Sequence, residues 1–348
     1  MTMELTTIWF ILIAVLWIGY FVLEGFDFGV GTLLPVLGRA NPDDPDRESG
    51  ETRKRQMLSS IGPFWDGNEV WLITAGGATF AAFPHWYATL FSGFYLPLLL
   101  ILVALIVRNL GFEYRGKGAT DQWRRNWDYA IIFGSFLPAL LWGVAFANIV
   151  NGTPIDAEME YAGNLFTLLN PLALLGGLTT TFLFLTHGAI FVSLKTDGSI
   201  RADARLLATK AGLVTAVLAV VFLGWTNRNT GNLFSWVLTG LAAVALLAAI
   251  GLNVQGREGM AFLGTTLTTL FAVSSLFFAL FPDVMPSTLD PEWSLTAAQA
   301  ASSHYTLVIM TWAAVIFVPI VLAYQGWTYW VFRKRLTTAH IPEQAATY

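Results

Sequence analysis

The chain has 348 residues, of which 55% are hydrophobic and 12% are charged, and its formal net charge is −4. Soluble domains carry roughly 25% charged residues, so this composition, with a mean hydropathy of +0.59, excludes a soluble protein and predicts one that crosses a membrane repeatedly. The chain has no cysteine, which excludes disulfides, thiolate metal sites, cysteine-ligated iron–sulfur clusters and c-type haem attachment.

Nine segments reach the roughly 20 mostly apolar residues that a membrane-spanning helix needs. They are predicted at about 6–34, 58–83, 87–110, 127–150, 165–193, 206–225, 232–253, 259–281 and 304–332. No soluble domain is appended, so the fold class is an all-α integral membrane protein with a single polytopic domain over residues 1–348. The first segment is too long for the apolar core of a signal peptide and follows no Lys or Arg, so no cleaved leader is expected.

The basic residues assign an orientation to these nine spans. One side of the membrane receives the loops after the first, third, fifth and seventh spans together with the C-terminus, and eighteen of the nineteen Lys and Arg residues fall on that side. Only Arg228 falls on the other. Because cytoplasmic loops carry the excess of Lys and Arg, the N-terminus is predicted outside and the C-terminus in the cytoplasm.

Four carboxylates lie inside the first two apolar segments, without a Lys or Arg among them. They are Glu24 and Asp27 in the first segment, and Asp66 and Glu69 in the second. A charged group at the bilayer centre costs about 2.5–3.5 kcal/mol on insertion scales, so such residues usually face a bundle interior or a water-filled path. Each pair has i,i+3 spacing, which places both carboxyls on one side of a helix. The pattern predicts handling of a proton or cation, or binding of a partner.

Both pairs are predicted at one depth, on the order of 10–15 Å from the cytoplasmic surface at 1.5 Å per residue. Carboxylates clustered there could take up protons from the cytoplasm and pass them on. A plainer interpretation stays open for the second pair. If the helix starts at Pro63, Asp66 and Glu69 merely occupy its first turns and complement the helix dipole.

The four histidines do not form a haem-ligating pair in the predicted topology. His187 falls near the inner end of the fifth span and His304 at the outer start of the ninth, so they cannot ligate one haem together. A lone membrane histidine is more often a hydrogen-bonded core residue. Arg108 ends the apolar run PLLLILVALIV, and two interpretations of it stay open, an arginine reaching the interface or a functional residue. The small residues around Gly25 and Gly29, and around Gly76 and Gly77, predict close helix packing.

These segments resemble subunit II of the cytochrome bd-type quinol oxidases nearly end to end. The stretches that carry the resemblance, in chain order, are EGFDFGVG (24–31), WDGNEVWLITAGG (65–77), FSGFY (91–95), RNLGFEYR (108–115), GSFLP (134–138), GVAFAN (143–148), LLNP (168–171), FPDVMPS (281–287) and MTW (310–312). Their order is highly specific, although no single motif is. Where most relatives have Gln after Asp-Gly-Asn, this chain has Glu69.

The resemblance implies a fold of two four-helix bundles plus one peripheral helix in a bacterial cytoplasmic membrane. It implies a partner, subunit I, which carries two haems b and one haem d and reduces O2 to water with electrons from quinol, building a proton-motive force without pumping. This chain would bind no haem itself and would supply a cytoplasmic proton path through Asp27 and Asp66, with Glu24 and Glu69 as further members. Arg108 would lie near a structural quinone.

Small single-span accessory subunits, lipid and quinone are further partners that the resemblance allows, and no nucleic acid is expected. Two other functions stay open on the residues alone. Intramembrane acids and proline-interrupted helices also suit a secondary transporter or an ion channel, although no clear inverted repeat is seen. A purely structural partner would satisfy its acids by hydrogen bonds.

Overall fold

The structure is a computed structural model that describes residues 2–42 and 48–340. Its α-helices are α1 (Thr2–Leu37), α2 (Gly50–Ile61), α3 (Trp65–Ala82), α4 (Pro84–Gly93), α5 (Tyr95–Tyr114), α6 (Asp121–Asn151), α7 (Leu165–Leu168), α8 (Pro171–Lys195), α9 (Ser199–Thr230), α10 (Leu233–Val254), α11 (Glu258–Leu280), α12 (Ala297–Ala300) and α13 (His304–Val331). Short 3-10 turns cover Arg115–Lys117, Pro291–Trp293 and Thr338–His340, and strands β1 (Asp283–Met285) and β2 (Leu295–Thr296) pair antiparallel.

Within the described residues, eight helices are long and apolar enough to cross a membrane: α1, α5, α6, α8, α9, α10, α11 and α13. They match eight of the nine predicted segments, although α9 extends beyond both ends of its segment. Side chains at the helix starts explain several boundaries. Asn170 and Asn232, for example, accept hydrogen bonds from the first turns of α8 and α10, which satisfies amides that have no partner inside the helix. The structure confirms an all-α, multi-pass membrane protein.

Three predicted segments are divided at or near a proline, and one of them, 165–193, is divided before Pro171 into α7 and α8. Segment 58–83 is interrupted around Pro63, so that α2 and α3 are separate helices, and the 18-residue α3 is the more apolar of the two. Segment 87–110 is divided at Phe94 into α4 and α5. Pro97 lacks the N–H that would bond four residues back, so the helix cannot run unbroken through this point. The helix carrying Asp66 therefore begins at Trp65, two residues after the Pro63 start considered above.

The segments predicted to be cytoplasmic meet at one end of the bundle. Ion pairs connect α2 with the starts of α9 and α6, the 3-10 turn after α5 with the start of α6, and the C-terminal segment with the start of α11. These pairs are Arg53–Asp203 (2.5 Å), Lys54–Asp128 (2.8 Å), Arg115–Asp128 (2.6 Å) and Arg335–Glu258 (3.4 Å). The segments that the charge pattern assigns to one side of the membrane are thus in contact with one another in the folded chain.

The segments predicted to lie outside meet at the other end. The Ser302 N–H donates to the Ala82 carbonyl (2.8 Å), so the end of α3 lies beside the start of α13. The other contacts here are Thr288 N–H to the Thr153 carbonyl (2.9 Å) and the Asn232 amide to the Phe278 carbonyl (2.6 Å). Helix α3 therefore begins near one end of the bundle and finishes at the other.

Helix α1 packs against α3, α6, α8 and α11, and its glycines allow the closest of these contacts. A Cβ on Gly25 would lie 2.7 Å from the Phe184 ring, and one on Gly29 would lie 2.9 Å from the Gly188 Cα. This confirms the predicted packing role of the Gly25–Gly29 face. By contrast, a Cβ on Gly76 or Gly77 would meet nothing within 4 Å in the described chain, so the small face of α3 makes no close contact there.

Two apolar clusters form the core, and polar side chains lie between them. One cluster contains Trp17, Phe21 and Leu105, and the other, toward the end of the bundle that is rich in Lys and Arg, contains Phe26 and Phe64. On α1 the two clusters meet between residues 21 and 30, with Phe28 in the first and Val30 in the second. Glu24 lies within this interval, so the first carboxylate is enclosed between two apolar layers.

We predict that Gly29→Ala destabilises the protein by roughly 1–3 kcal/mol, the usual cost of forcing a methyl group into a packed core, because the α8 backbone cannot move away cheaply. The measurement is the thermal unfolding midpoint of the detergent-solubilised protein. Gly240→Ala on α10 is the matched control, since nothing lies within 4 Å of its Cβ position. Equal midpoints for the two variants would contradict the close α1–α8 contact.

Candidate functional site: a buried acid cluster between α1, α3 and α5

The centre of the site is an ion pair between α1 and α5. An Arg108 terminal nitrogen donates to Glu24 Oε1, and both side chains are fully buried. The guanidinium lies 4.8 Å from the ring centre of Phe28 and 5.4 Å from that of Phe112, distances at which aromatic faces attract a cation. The interpretation of Arg108 as an arginine reaching the interface is wrong, because the side chain points into the bundle. It supplies the positive charge that the first two segments lack.

Glu69 of α3 lies on the other side of the same guanidinium. Its Oε2 accepts a hydrogen bond from the Asn109 amide at 2.7 Å and is 3.8 Å from Arg108. The Glu69 side chain is 17% exposed, between the full burial of Glu24 and the surface. The residue at which this chain departs from the usual Gln thus belongs to the buried cluster.

Asp27 has a different kind of partner, the neutral amide of Asn68. Asn68 Nδ2 donates to Asp27 Oδ2 at 2.7 Å and to the Leu23 carbonyl at 3.2 Å. The Asn68 carbonyl oxygen accepts from the Tyr329 hydroxyl (2.9 Å) and from the Gln325 amide (3.3 Å) of α13. Asp27 is fully buried, and its environment therefore involves three helices.

Asp66 is not part of this buried set. It lies in the first turn of α3 and is exposed on the surface of the chain. A carboxylate in that position complements the positive end of the helix, as the plainer interpretation of the second pair predicts. That interpretation does not extend to Glu69, whose partners come from α5. Of the four acids, the structure brings Glu24, Asp27 and Glu69 together and leaves Asp66 about one helical turn closer to the start of α3.

Several buried polar atoms in the cluster have no hydrogen-bond partner within the described part of the chain. They are Glu24 Oε2, Asp27 Oδ1, Arg108 Nε and Nη1, and Asn109 Oδ1. Buried polar groups in native proteins are nearly always satisfied by protein or by ordered water. Their concentration at one place marks the polar centre of the bundle.

His187 is a core residue, as a lone membrane histidine usually is. Its ring nitrogens bond to the Thr265 hydroxyl (2.7 Å) and the Val22 carbonyl (3.1 Å), and the ring stacks on Phe262. No group of three or more His, Cys, Asp or Glu side chains suited to a metal ion occurs within residues 2–42 and 48–340.

Sequence reasoning missed the amides and hydroxyl that complete the site: Asn68, Asn109, Gln325 and Tyr329. A signal was available for Gln325, which interrupts the long apolar stretch of α13. Asn68 lies between Asp66 and Glu69, and the cost of burying charge singles out only those two carboxylates. The spacing of the amides and the hydroxyl along the chain does not show which helices they connect.

The fold and site define a class of protein, a polytopic helical membrane protein with a carboxylate–guanidinium cluster buried toward the end of the bundle that is rich in Lys and Arg. Such a cluster can hold and exchange protons, since carboxyls are the groups that ionise here and the guanidinium keeps its charge.

Comparison with known proteins identifies the family. The family model for cytochrome bd terminal oxidase subunit II matches residues 5–332, and the chain belongs to this family. It is 39% identical to cytochrome bd ubiquinol oxidase subunit 2 of Bacillus subtilis (strain 168), over 96% of this chain and 97% of that one. It is 38% identical to cytochrome bd-I ubiquinol oxidase subunit 2 of Escherichia coli (strain K12), over 96% of each. The chain is thus a subunit of an oxidoreductase complex.

A solved structure shows the same fold at greater sequence distance. A chain of the bd oxidase from Geobacillus thermodenitrificans superposes with a TM-score of 0.76 over 94% of this chain and 98% of that one, at 16% identity. The resemblance inferred from the motifs is confirmed.

We predict that Arg108→Met destabilises the protein by about 3–5 kcal/mol, because it leaves Glu24 buried without its cation. The double variant Glu24→Gln/Arg108→Met should recover a large part of that loss, since neither charge then remains unpaired. Thermal unfolding of the solubilised complex measures both. Asp121→Asn, which opens an exposed pair with Arg124, is the control and should leave the midpoint near that of the unmodified protein. Simple additivity of the two buried substitutions would contradict the pairing.

Proposed function

We propose that this chain supports a haem-bearing subunit I in quinol-driven reduction of O2 to water, and that it supplies a cytoplasmic proton-uptake path. Family membership supports the partner and the reaction. In the bacterial cytoplasmic membrane, protons taken from the cytoplasm for water formation would build a proton-motive force without pumping. In this proposal the haems b and d belong to subunit I, and this chain binds none.

The observation that carries the proton path is the increase in burial along the four acids. Asp66 is exposed near the cytoplasmic end of α3, Glu69 is 17% exposed, and Glu24 and Asp27 are fully buried. A proton acquired at Asp66 would move inward past Glu69 to the buried carboxyls. The unpartnered oxygens of Glu24 and Asp27 offer places where water could bridge successive groups, since water bonds well to such polar centres.

The charges of the cluster suit such a path. Three carboxyls, those of Glu24, Asp27 and Glu69, surround one guanidinium, that of Arg108. Arginine stays protonated in proteins, so it neutralises one carboxylate and leaves the others able to exchange protons. In a low-dielectric interior the fixed cation also limits the cost of the negative charges. Arg108 would therefore stabilise the path without carrying the proton itself.

We propose nine membrane crossings, with the N-terminus outside and the C-terminus in the cytoplasm. The eight apolar helices and the course of α3 from one end of the bundle to the other support the count. The basic residues collected at one end support the orientation. Helix α13, which buries little of its surface within the chain, fits the peripheral helix of a fold with two four-helix bundles, all within one polytopic domain over residues 1–348.

The quinone contact expected at Arg108 stays a prediction. The guanidinium is enclosed by Glu24, Phe28 and Phe112. A quinone nearby would therefore contact these enclosing side chains and not the guanidinium itself. Small single-span accessory subunits and bound lipid are further partners that we propose on the family resemblance.

We predict that a tagged copy purified from membranes elutes with a second, haem-bearing chain, and that the complex oxidises quinol with O2. The absorbance spectrum and the subunits on a denaturing gel are the measurements. A colourless chain that alone transports an ion or solute in vesicles would contradict the oxidase assignment and favour the transporter.

We predict that Asp27→Asn and Asp66→Asn each lower O2 consumption by roughly 100-fold or more, because a placed proton-transfer group typically contributes about 10²- to 10⁴-fold. Haem content should be retained, because in this proposal subunit I holds the haems. Quinol-dependent O2 uptake and haem absorbance are measured on the same samples. Glu292→Gln, an exposed acid at the opposite end, is the matched control. Normal turnover in both Asp variants would refute the path, and loss of haem would instead favour a structural role.

A further inference from the structure

A continuous series of hydrogen bonds connects the peripheral helix α13 to Asp27. Trp71 of α3 donates to Gln325 Oε1 at 2.9 Å, and Gln325 Nε2 donates to Asn68 Oδ1 at 3.3 Å. Tyr329 donates to the same Asn68 oxygen at 2.9 Å. Asn68 then donates through Nδ2 to Asp27 Oδ2 at 2.7 Å.

The direction of this series is fixed by its first member. The Trp71 indole can only donate, so the carbonyl oxygen of the Gln325 amide must face it. The Gln325 amide nitrogen consequently faces Asn68, which must present its oxygen. Rotating the Asn68 amide by half a turn would set its nitrogen against the Gln325 nitrogen and its oxygen against both the Leu23 carbonyl and Asp27 Oδ2.

All four hydrogen-bonding positions of the Asn68 amide are therefore used. Its oxygen accepts from two side chains of α13, and its nitrogen donates to the Leu23 carbonyl and to Asp27. A buried amide satisfied at every position is held in one orientation. The Asn68 amide N–H is held against Asp27 Oδ2, so Oδ2 is the oxygen that accepts this hydrogen bond. The buried Oδ1 has no partner in the described chain.

We propose that Asn68, held by Gln325 and Tyr329 of α13, is the positioning residue that makes Oδ1 the oxygen through which Asp27 takes up and releases its proton. This rests on the proposed function of Asp27 in proton uptake. Helix α13 then has a role beyond membrane anchoring, because two of its side chains determine which way the Asp27 carboxyl faces. Stacking of Tyr329 on Phe64, with ring centres 4.4 Å apart, holds the hydroxyl in place.

Other titratable and charged groups face Asp27 and must be kept constant in a test. They are Glu24 on α1, Glu69 on α3, Arg108 on α5 and Tyr329 on α13. Asn68→Leu and Gln325→Leu change none of them. Tyr329→Phe removes a hydroxyl and preserves the ring. The matched control is Tyr324→Phe on α13, whose exposed ring contacts Trp327 and lies outside the series.

The experiment uses the complete oxidase complex with its haem subunit. The infrared carbonyl band of protonated Asp27 is identified as the band that Asp27→Asn abolishes, and the pH profile of quinol-dependent O2 uptake is recorded in parallel. Asn68→Leu should shift the band and displace the profile by roughly one pH unit, the equivalent of one hydrogen bond to a charged group. Tyr329→Phe and Gln325→Leu should each lower turnover by about 2- to 10-fold, as expected for one neutral hydrogen bond, whereas Tyr324→Phe should not.

The outcomes separate this proposal from the proton path itself. If Asp27→Asn impairs turnover while Asn68→Leu and the α13 variants leave the band and the profile unchanged, the positioning role is wrong and the path stands. If Asp27→Asn turns over normally, or abolishes no carbonyl band, Asp27 does not carry the proton and the positioning role fails with it; the path itself fails only if Asp66→Asn also turns over normally. Should Asn68→Leu not assemble, the Gln325→Leu/Tyr329→Phe double variant decides, because it leaves Asn68 in place.

Discussion

The structure depends on the burial of Arg108 against Glu24 in the interior of a membrane protein. Taking an unpaired charge into a bilayer is costly, and breaking such a buried pair leaves a charge without compensation. The pair therefore requires α1 and α5 to meet at this depth. Glu69 and Asn109 then complete the polar surroundings of the guanidinium. Close packing of α1 on α8 through Gly29 and Gly188 holds the other side of α1, so the pair is fixed from both directions.

The position of the cluster also explains why α3, although it has 18 residues, is not among the described helices that are apolar enough to cross a membrane. Its first turns carry Asp66, Asn68 and Glu69, and two of these three side chains complete a site that α1 and α5 begin. The rest of α3 is apolar and continues to Ala82 at the other end of the bundle. The polar residues of the site thus reduce the hydropathy of one half of the helix. A span that lines a polar site can have a weak hydropathy signal and still run the length of the bundle.

Much of the fold could be predicted from the sequence, because long apolar runs and the distribution of Lys and Arg respond to the bilayer directly. The helix breaks at Pro63 and Phe94 were harder to predict, since a proline can either kink a helix or end it. For the site, the i,i+3 spacing identified Glu24 and Asp27 correctly as buried and on one face. The pairing of Glu24 with Arg108 could not be predicted from the sequence, because the two residues lie 84 positions apart and their contact depends on tertiary packing. The amides of Asn68 and Gln325 were missed for the same reason.

The partners of the two buried acids on α1 give a physical reason to assign them different roles. Glu24 accepts its hydrogen bond from a guanidinium, which keeps its charge at any physiological pH and favours the ionised carboxylate. Asp27 accepts from a neutral amide, which offers a weaker and uncharged interaction. Transferring a proton to Glu24 would leave the Arg108 charge uncompensated by its nearest partner, whereas transferring one to Asp27 would leave the Glu24–Arg108 pair intact. In the proposed proton path, Asp27 is therefore the better proton carrier of the two, and Glu24 is the counter-ion that allows Arg108 to remain buried beside it.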